Sequence, residues 1–169
     1  MLTSDYCLCW GEFMYYSSGV GGATQITIAN IYSAGSCREK KVIWEEVQET
    51  RRMQISTPWC VVGDFNSIRR LGERRSVNIN TSYSTEKRRF NNFIEKMELL
   101  DIPMVGRKFT WYRPNGATKC RIDRILVLRE WLKRWLYSVQ NVLGRVVSDH
   151  CAFVLNTSST DWAPKPLGV

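Results

Sequence analysis

A chain of 169 residues with 44% hydrophobic and 12% aromatic content can bury one sizeable core and is too short for two. No segment approaches the ~20 consecutive apolar residues of a membrane span, and Met1 to Trp10 carries an aspartate and no basic start, unlike a signal peptide. Twenty-four Lys and Arg against sixteen Asp and Glu give a net charge of +8, which favours a polyanionic partner through counterion release. A soluble intracellular protein is expected, cytoplasmic or nuclear, not secreted, monomeric and without membrane contact. The six cysteines are scattered and form no C-x-x-C pair, and His150 is the sole histidine. A zinc site with paired soft ligands and a disulfide framework are both excluded on that pattern.

In chain order, Cys7 to Tyr16 and Gln25 to Tyr32 are β-prone and separated by Ser17-Ser18-Gly19 and Gly21-Gly22, which predicts two strands and a turn. Glu39 to Met53 carries Val42, Ile43 and Val47 as the apolar stripe of a helix. Trp59 to Val62, bounded by Pro58 and Gly63, suits a strand buried on both faces. Gly72 to Tyr83 is polar and predicts a loop. Ser84 or Thr85 then caps a helix on which Phe90, Phe93, Ile94 and Met97 share one face. Phe109 to Tyr112 predicts a strand running into a turn at Pro114-Asn115-Gly116. Arg121 to Leu128 is a further strand, Glu130 to Leu136 a short helix, and Cys151 to Leu155 a closing strand. Strands interleaved with helices predict an α/β domain over residues 1–156, followed by an aperiodic tail, 157–169.

Three short motifs place polar residues where a buried strand meets a loop. In Val62-Gly63-Asp64-Phe65-Asn66, Asp64 and Asn66 stand two apart, so an extended chain turns both to one side and Phe65 to the core. A carboxylate beside an amide can orient a water and reach a hard cation; an Asx turn ending the strand is the competing explanation. Asp123 interrupts the apolar strand around Ile122, Ile125 and Leu126 and needs a partner there. The candidates are a salt bridge to Arg121 or Arg124, or a hydrogen bond that orients His150. Ser148-Asp149-His150 precedes the last strand, where an imidazole flanked by carboxylates can donate to phosphate oxygens.

In this order, G-D-x-N, R-x-D-x-x-L and S-D-H resemble the endonuclease/exonuclease/phosphatase superfamily, and Asn30-Ile31-Tyr32 is similar to that family's N-x-Y element. Arg107-Lys108-Phe109-Thr110-Trp111, Arg121-Ile122-Asp123-Arg124, Ser148-Asp149-His150-Cys151-Ala152 and the tail Asp161-Trp162-Ala163-Pro164-Lys165-Pro166 resemble the endonucleases of plant LINE-type retrotransposons more closely. The resemblance runs from about Cys7 to the end. It implies a four-layer α-β sandwich, two packed mixed sheets flanked by helices, acting as a DNA-nicking phosphodiesterase joined to a reverse transcriptase in the full-length element. By it, Tyr32, Asp64, Asn66, Asp123, Asp149 and His150 are catalytic. Asp64, Asn66, Asp149 and His150 lie at the metal, which is Mg²⁺ or Mn²⁺, and Arg107, Lys108, Trp111, Arg113 and Arg121 face DNA. Trp111 as ordinary core is the alternative.

The family's first-strand asparagine and its Q-E-T motif, whose glutamate is the principal metal ligand, belong before Cys7, where none of the six residues matches. Glu12 lies beyond that point and is expected at the surface. The resemblance therefore implies a domain without its first strands, with metal held weakly and activity impaired or lost. Two other functions stay open: a phosphatase or repair endonuclease of the same superfamily, and a non-catalytic remnant that binds nucleic acid through charge.

Overall fold

The computed structural model describes residues 7–15, 24–33, 36–53, 57–76 and 83–157. Strand β1 (Cys7–Tyr15) pairs antiparallel with β2 (Thr24–Tyr32), and helix α1 (Cys37–Met53) leads to β3 (Trp59–Asp64), which lies parallel to β2. After a 3₁₀ turn at Leu71–Glu73 come β4 (Arg74–Ser76), α2 (Tyr83–Lys96), β5 (Leu100–Asp101) and β6 (Met104–Gly106). The chain continues through β7 (Trp111–Tyr112), β8 (Thr118–Cys120), β9 (Asp123–Val127) and α3 (Arg129–Arg134), and ends with β10 (Val139–Val142) and β11 (Phe153–Asn156).

The central sheet has the order β1-β2-β3-β9-β5, and smaller sheets run β11-β10-β6 and β4-β8-β7. The pleat sorts side chains to two buried faces. Ala29, Ile31, Trp59, Val61 and Leu126 meet α1 through Ile43, Trp44 and Val47, and α2 through Phe90, Phe93 and Ile94. Ile26, Cys60, Ile125 and Val127 pack on the other side with Trp131 of α3, and with Phe153 and Leu155 of β11. Helices, sheet and second sheet thus form the layers of the expected α-β sandwich. Two-sided burial explains why β3 opens with the apolar run Trp59–Val62 and β9 ends with Ile125–Val127.

The predicted helices and long strands are present with shifted ends. The polar stretch predicted as a loop from Gly72 instead begins with the 3₁₀ turn and β4, because β4 finds β8 as a partner. Helix α2 already contains Ser84 and Thr85, so neither stands before its first turn. The turn at residues 17–22 and the tail motif at 161–166 lie outside the described residues. Among the described residues no helix is long and apolar enough to cross a membrane, and Cys37, Cys60, Cys120 and Cys151 are free thiols.

Candidate active site

The site grows from strand register. Tyr32 lies opposite Asp64 in the β2–β3 ladder, and Asp64 lies opposite Asp123 in the β3–β9 ladder. The three strands therefore place a phenol and two carboxylates in one row at the sheet's edge. Like charges directly across a ladder repel, so this row is held by the fold rather than favoured by its own contacts. Gly63 lets it form: its φ is +132°, and a Cβ there would stand 2.0 Å from the Ile31 carbonyl oxygen.

Beyond Asp64 the chain leaves extended geometry. Phe65 enters the core, as expected, but Asn66 has φ +47° and its N–H donates to Asp64 Oδ1 at 2.7 Å. This is an Asx turn, so Asn66 reaches the cleft by a local bend and not by strand alternation. Buried Lys40 on α1 fixes the bend: its Nζ donates to the Asn66 carbonyl at 2.6 Å and to Ser67 Oγ at 3.2 Å, and pairs with Glu86 on α2. Nothing in the residue pattern singles out Lys40, which sits among the charges of an ordinary amphipathic helix.

Asp123 takes the second of its two candidate partners. His150 Nδ1 lies 3.1 Å from both Asp123 carboxylate oxygens, while Arg124 and Arg121 turn to Asp101 and Glu73. The hydrogen bond to Asp123, before all else, raises the His150 pKa. It leaves Nε2 on the cleft side, 3.9 Å from Asp64 Oδ2. Thr110, wholly buried, supports the other end of this pair: its Oγ1 accepts the N–H groups of Ile122 and Asp123 at 3.1 and 3.0 Å. Burial and the Asp123 charge push Asp64 up to about 6, against the pull of the Asn66 N–H, His150 and Lys40.

Asp149 does not join the other acids. Its Oδ2 accepts the Trp111 indole N–H at 2.8 Å, which holds its carboxyl below the usual range, while the residue still lines the cleft. Trp111 is half-buried against Ile68, Cys120 and Ile122, yet it also lines the cleft. Arg107, Lys108 and Arg113 are exposed. Arg121 is not: its guanidinium is drawn inward to Asp101 at 2.8 Å and toward Glu73. A cleft of about 520 Å³ gathers Tyr32, Asp64, Asn66, Trp111, Asp149 and His150.

The ligand atoms of Asp64, Asp123 and His150 lie within 4.8 Å of one another. The donors fit a divalent cation. Asp64 is a desolvated carboxylate beside a second one, and positive charge would relieve both penalties. Asp64, with the side-chain oxygen of Asn66, offers hard donors; Asp123 and His150 are near enough to join, but their mutual hydrogen bond competes.

The site is thus a strand-end row of carboxylates completed by a carboxylate-backed imidazole, on a layered α-β sandwich. The Endonuclease/Exonuclease/phosphatase family matches residues 15–150, and the chain belongs to it. No curated protein matches the sequence. In fold the chain is similar to the 3′ phosphatase NExo from Neisseria, bound to a product DNA hairpin (TM-score 0.60, 20% identity, 80% of this chain and 63% of that one). It is also similar to an endonuclease/exonuclease/phosphatase family protein from Bacteroides thetaiotaomicron (TM-score 0.56, 19% identity, 88% and 54%). A third likeness is to the endonuclease domain of TRAS1, a telomere-specific non-LTR retrotransposon (TM-score 0.61, 14% identity, 92% and 70%). The chain thus spans 63% and 54% of the Neisseria and Bacteroides proteins. At these identities the likeness is one of fold.

Proposed function

We propose that the chain supplies the phosphate-side wall of a metal-dependent endonuclease that nicks DNA, of the kind carried by LINE-type retrotransposons. The observation that carries this is His150, backed by buried Asp123, standing beside Asp64 in one cleft. Asp123 accepts the Nδ1 proton and favours the charged ring, so Nε2–H can donate to a phosphoryl oxygen as negative charge builds there. Asp64, titrating at about 6, accepts a proton from the attacking water, or in its protonated form delivers one to the leaving oxygen. The Asn66 amide and the exposed Tyr32 hydroxyl supply further donors for the phosphate. A divalent cation held by Asp64 and Asn66, Mg²⁺ with Mn²⁺ as a substitute, would polarise the phosphoryl oxygen and acidify the water.

Exposed Arg107, Lys108 and Arg113 and the net charge of +8 favour a nucleic acid over a small phosphoester. The hard donors assigned to the cation are Asp64 and Asn66, and His150 Nε2 stands 3.9 Å from Asp64 Oδ2. Two such donors hold a divalent cation weakly, so the 169-residue chain by itself turns over slowly. Incubated with Mg²⁺ and an end-labelled duplex, it is expected to break internal phosphodiesters and to leave a 3′-terminal phosphate in place. Release of inorganic phosphate from that terminus without strand scission would instead make the chain a phosphatase.

A further inference from the structure

The segment between β10 and His150 carries an exposed apolar tip that the cleavage chemistry does not use. Val146 is 89% exposed and Val147 98%, side by side and three residues from the imidazole. The segment is tied down on both sides of this tip. Leu143 N–H donates to the Ala152 carbonyl at 2.8 Å, Tyr112 N–H to the Asp149 carbonyl at 2.9 Å, and Cys151 N–H to the Thr110 carbonyl at 2.7 Å. The His150 N–H closes a local turn on Ser148 Oγ at 3.1 Å. Arg145 lies over the Tyr112 ring, 5.4 Å from its centroid, and the Arg107 guanidinium runs alongside Gly144. Valine is stiff at χ1, so the pair loses little side-chain freedom when it is buried.

We infer that Val146 and Val147 form an apolar wedge that enters the minor groove of duplex DNA and parts a base step next to the scissile phosphate. The inference rests on the nucleic-acid reading of the cleft and extends it to a second mode of contact. Charge complementarity selects the occupant: Arg145 and Arg107 stand beside the tip, and Asp149, two residues beyond Val147, is engaged by Trp111. Position selects it too, because the segment runs directly into Asp149 and His150, which line the cleft. An apolar tip in a basic collar is the arrangement by which minor-groove proteins unstack and bend a duplex.

The test compares the wild-type chain with the Val146→Ser/Val147→Ser double variant on a duplex oligonucleotide carrying 2-aminopurine, titrated across a range of salt concentrations. The variant is expected to melt at the wild-type temperature, since both side chains lie in solvent. It should bind at least about tenfold more weakly, a loss well within the apolar contact that two valines supply. Its slope of log affinity against log salt should be unchanged, and the rise in 2-aminopurine emission should disappear. Arg145→Ala should instead make that slope shallower. Wild-type and variant affinity within twofold, with equal emission, would overturn the wedge and leave the nucleic-acid reading standing. Failure of the wild-type chain to bind duplex even at low salt would overturn that reading, and the wedge with it. A wild-type dimer in sedimentation that the variant cannot form would make the tip a contact between copies and also overturn the wedge.

Discussion

Replacing Asp64 by asparagine removes a charge that the fold holds against its own preference. Asp64 is 11% exposed, lies opposite Asp123 in the ladder, and titrates at about 6 instead of 3.8. A raised carboxyl pKa means that the folded state favours the protonated form. This advantage is complete below pH 3.8 and is lost as pH rises through about 6. Two units correspond to about 3 kcal/mol of penalty for the ionised group at pH 7.5. Asparagine keeps an oxygen for the Asn66 N–H and sheds the charge, but it also gives up attraction to His150 and Lys40. A net gain of about 1–3 kcal/mol is therefore expected at pH 7.5, or about 2–10 °C in Tm for a chain of this size. Urea unfolding of wild type and Asp64→Asn at pH 5.0, 6.0 and 7.5 measures it. The variant should be clearly more stable at pH 7.5 and nearly equal to wild type at pH 5.0. Saturating Mg²⁺ should stabilise the wild type more than the variant. A variant less stable than wild type at pH 7.5, or a difference that does not change with pH, would refute the electrostatic account of the site.

Asp123→Asn should lower the His150 pKa, followed by NMR titration of the imidazole C2 proton; an unmoved titration would show that Asp123 does not hold the ring. Because the His150 pKa is raised, its share of stability is present below pH ~6.5 and lost as pH rises through the folded value, and Asp123→Asn should abolish that window. Lys40→Met leaves Glu86 without its buried partner and should cost about 3 kcal/mol in urea unfolding. The double variant Lys40→Met/Glu86→Gln should recover much of that stability but not strand cleavage, since the Asn66 carbonyl still lacks its donor. Gly63→Ala drives a methyl into the Ile31 carbonyl and should cost more than about 3 kcal/mol, or prevent folding.

Periodicity made the long elements legible. Helices α1 and α2 and strands β2, β3 and β9 announce themselves through amphipathic or continuous apolar patterns, because each buries at least one full face. The short strands β4, β5, β6, β8 and β10 carry no such signal; two to four residues become strand only when a distant partner offers its backbone. The site was legible as residue types but not as partners. Asp123 between Arg121 and Arg124 allowed a local salt bridge, and only register and long-range packing show that both arginines serve Asp101 and Glu73 while Asp123 meets His150. The same limit hid the Asp149–Trp111 and Arg121–Asp101 contacts. It also hid Lys40 and Thr110, whose polar groups matter solely for the loop and strand end they grip.

Conversion of supercoiled plasmid to the open circle tests the central claim most directly, with the 169-residue chain, its Asp64→Ala and His150→Ala variants, and Mg²⁺ or EDTA. Slow nicking by the wild-type chain in Mg²⁺, suppressed by EDTA and abolished in both variants, is the predicted result. Nicking that persists in EDTA, or variants that match the wild-type rate, would contradict the assignment of the Asp64–Asp123–His150 cluster as the cleavage site.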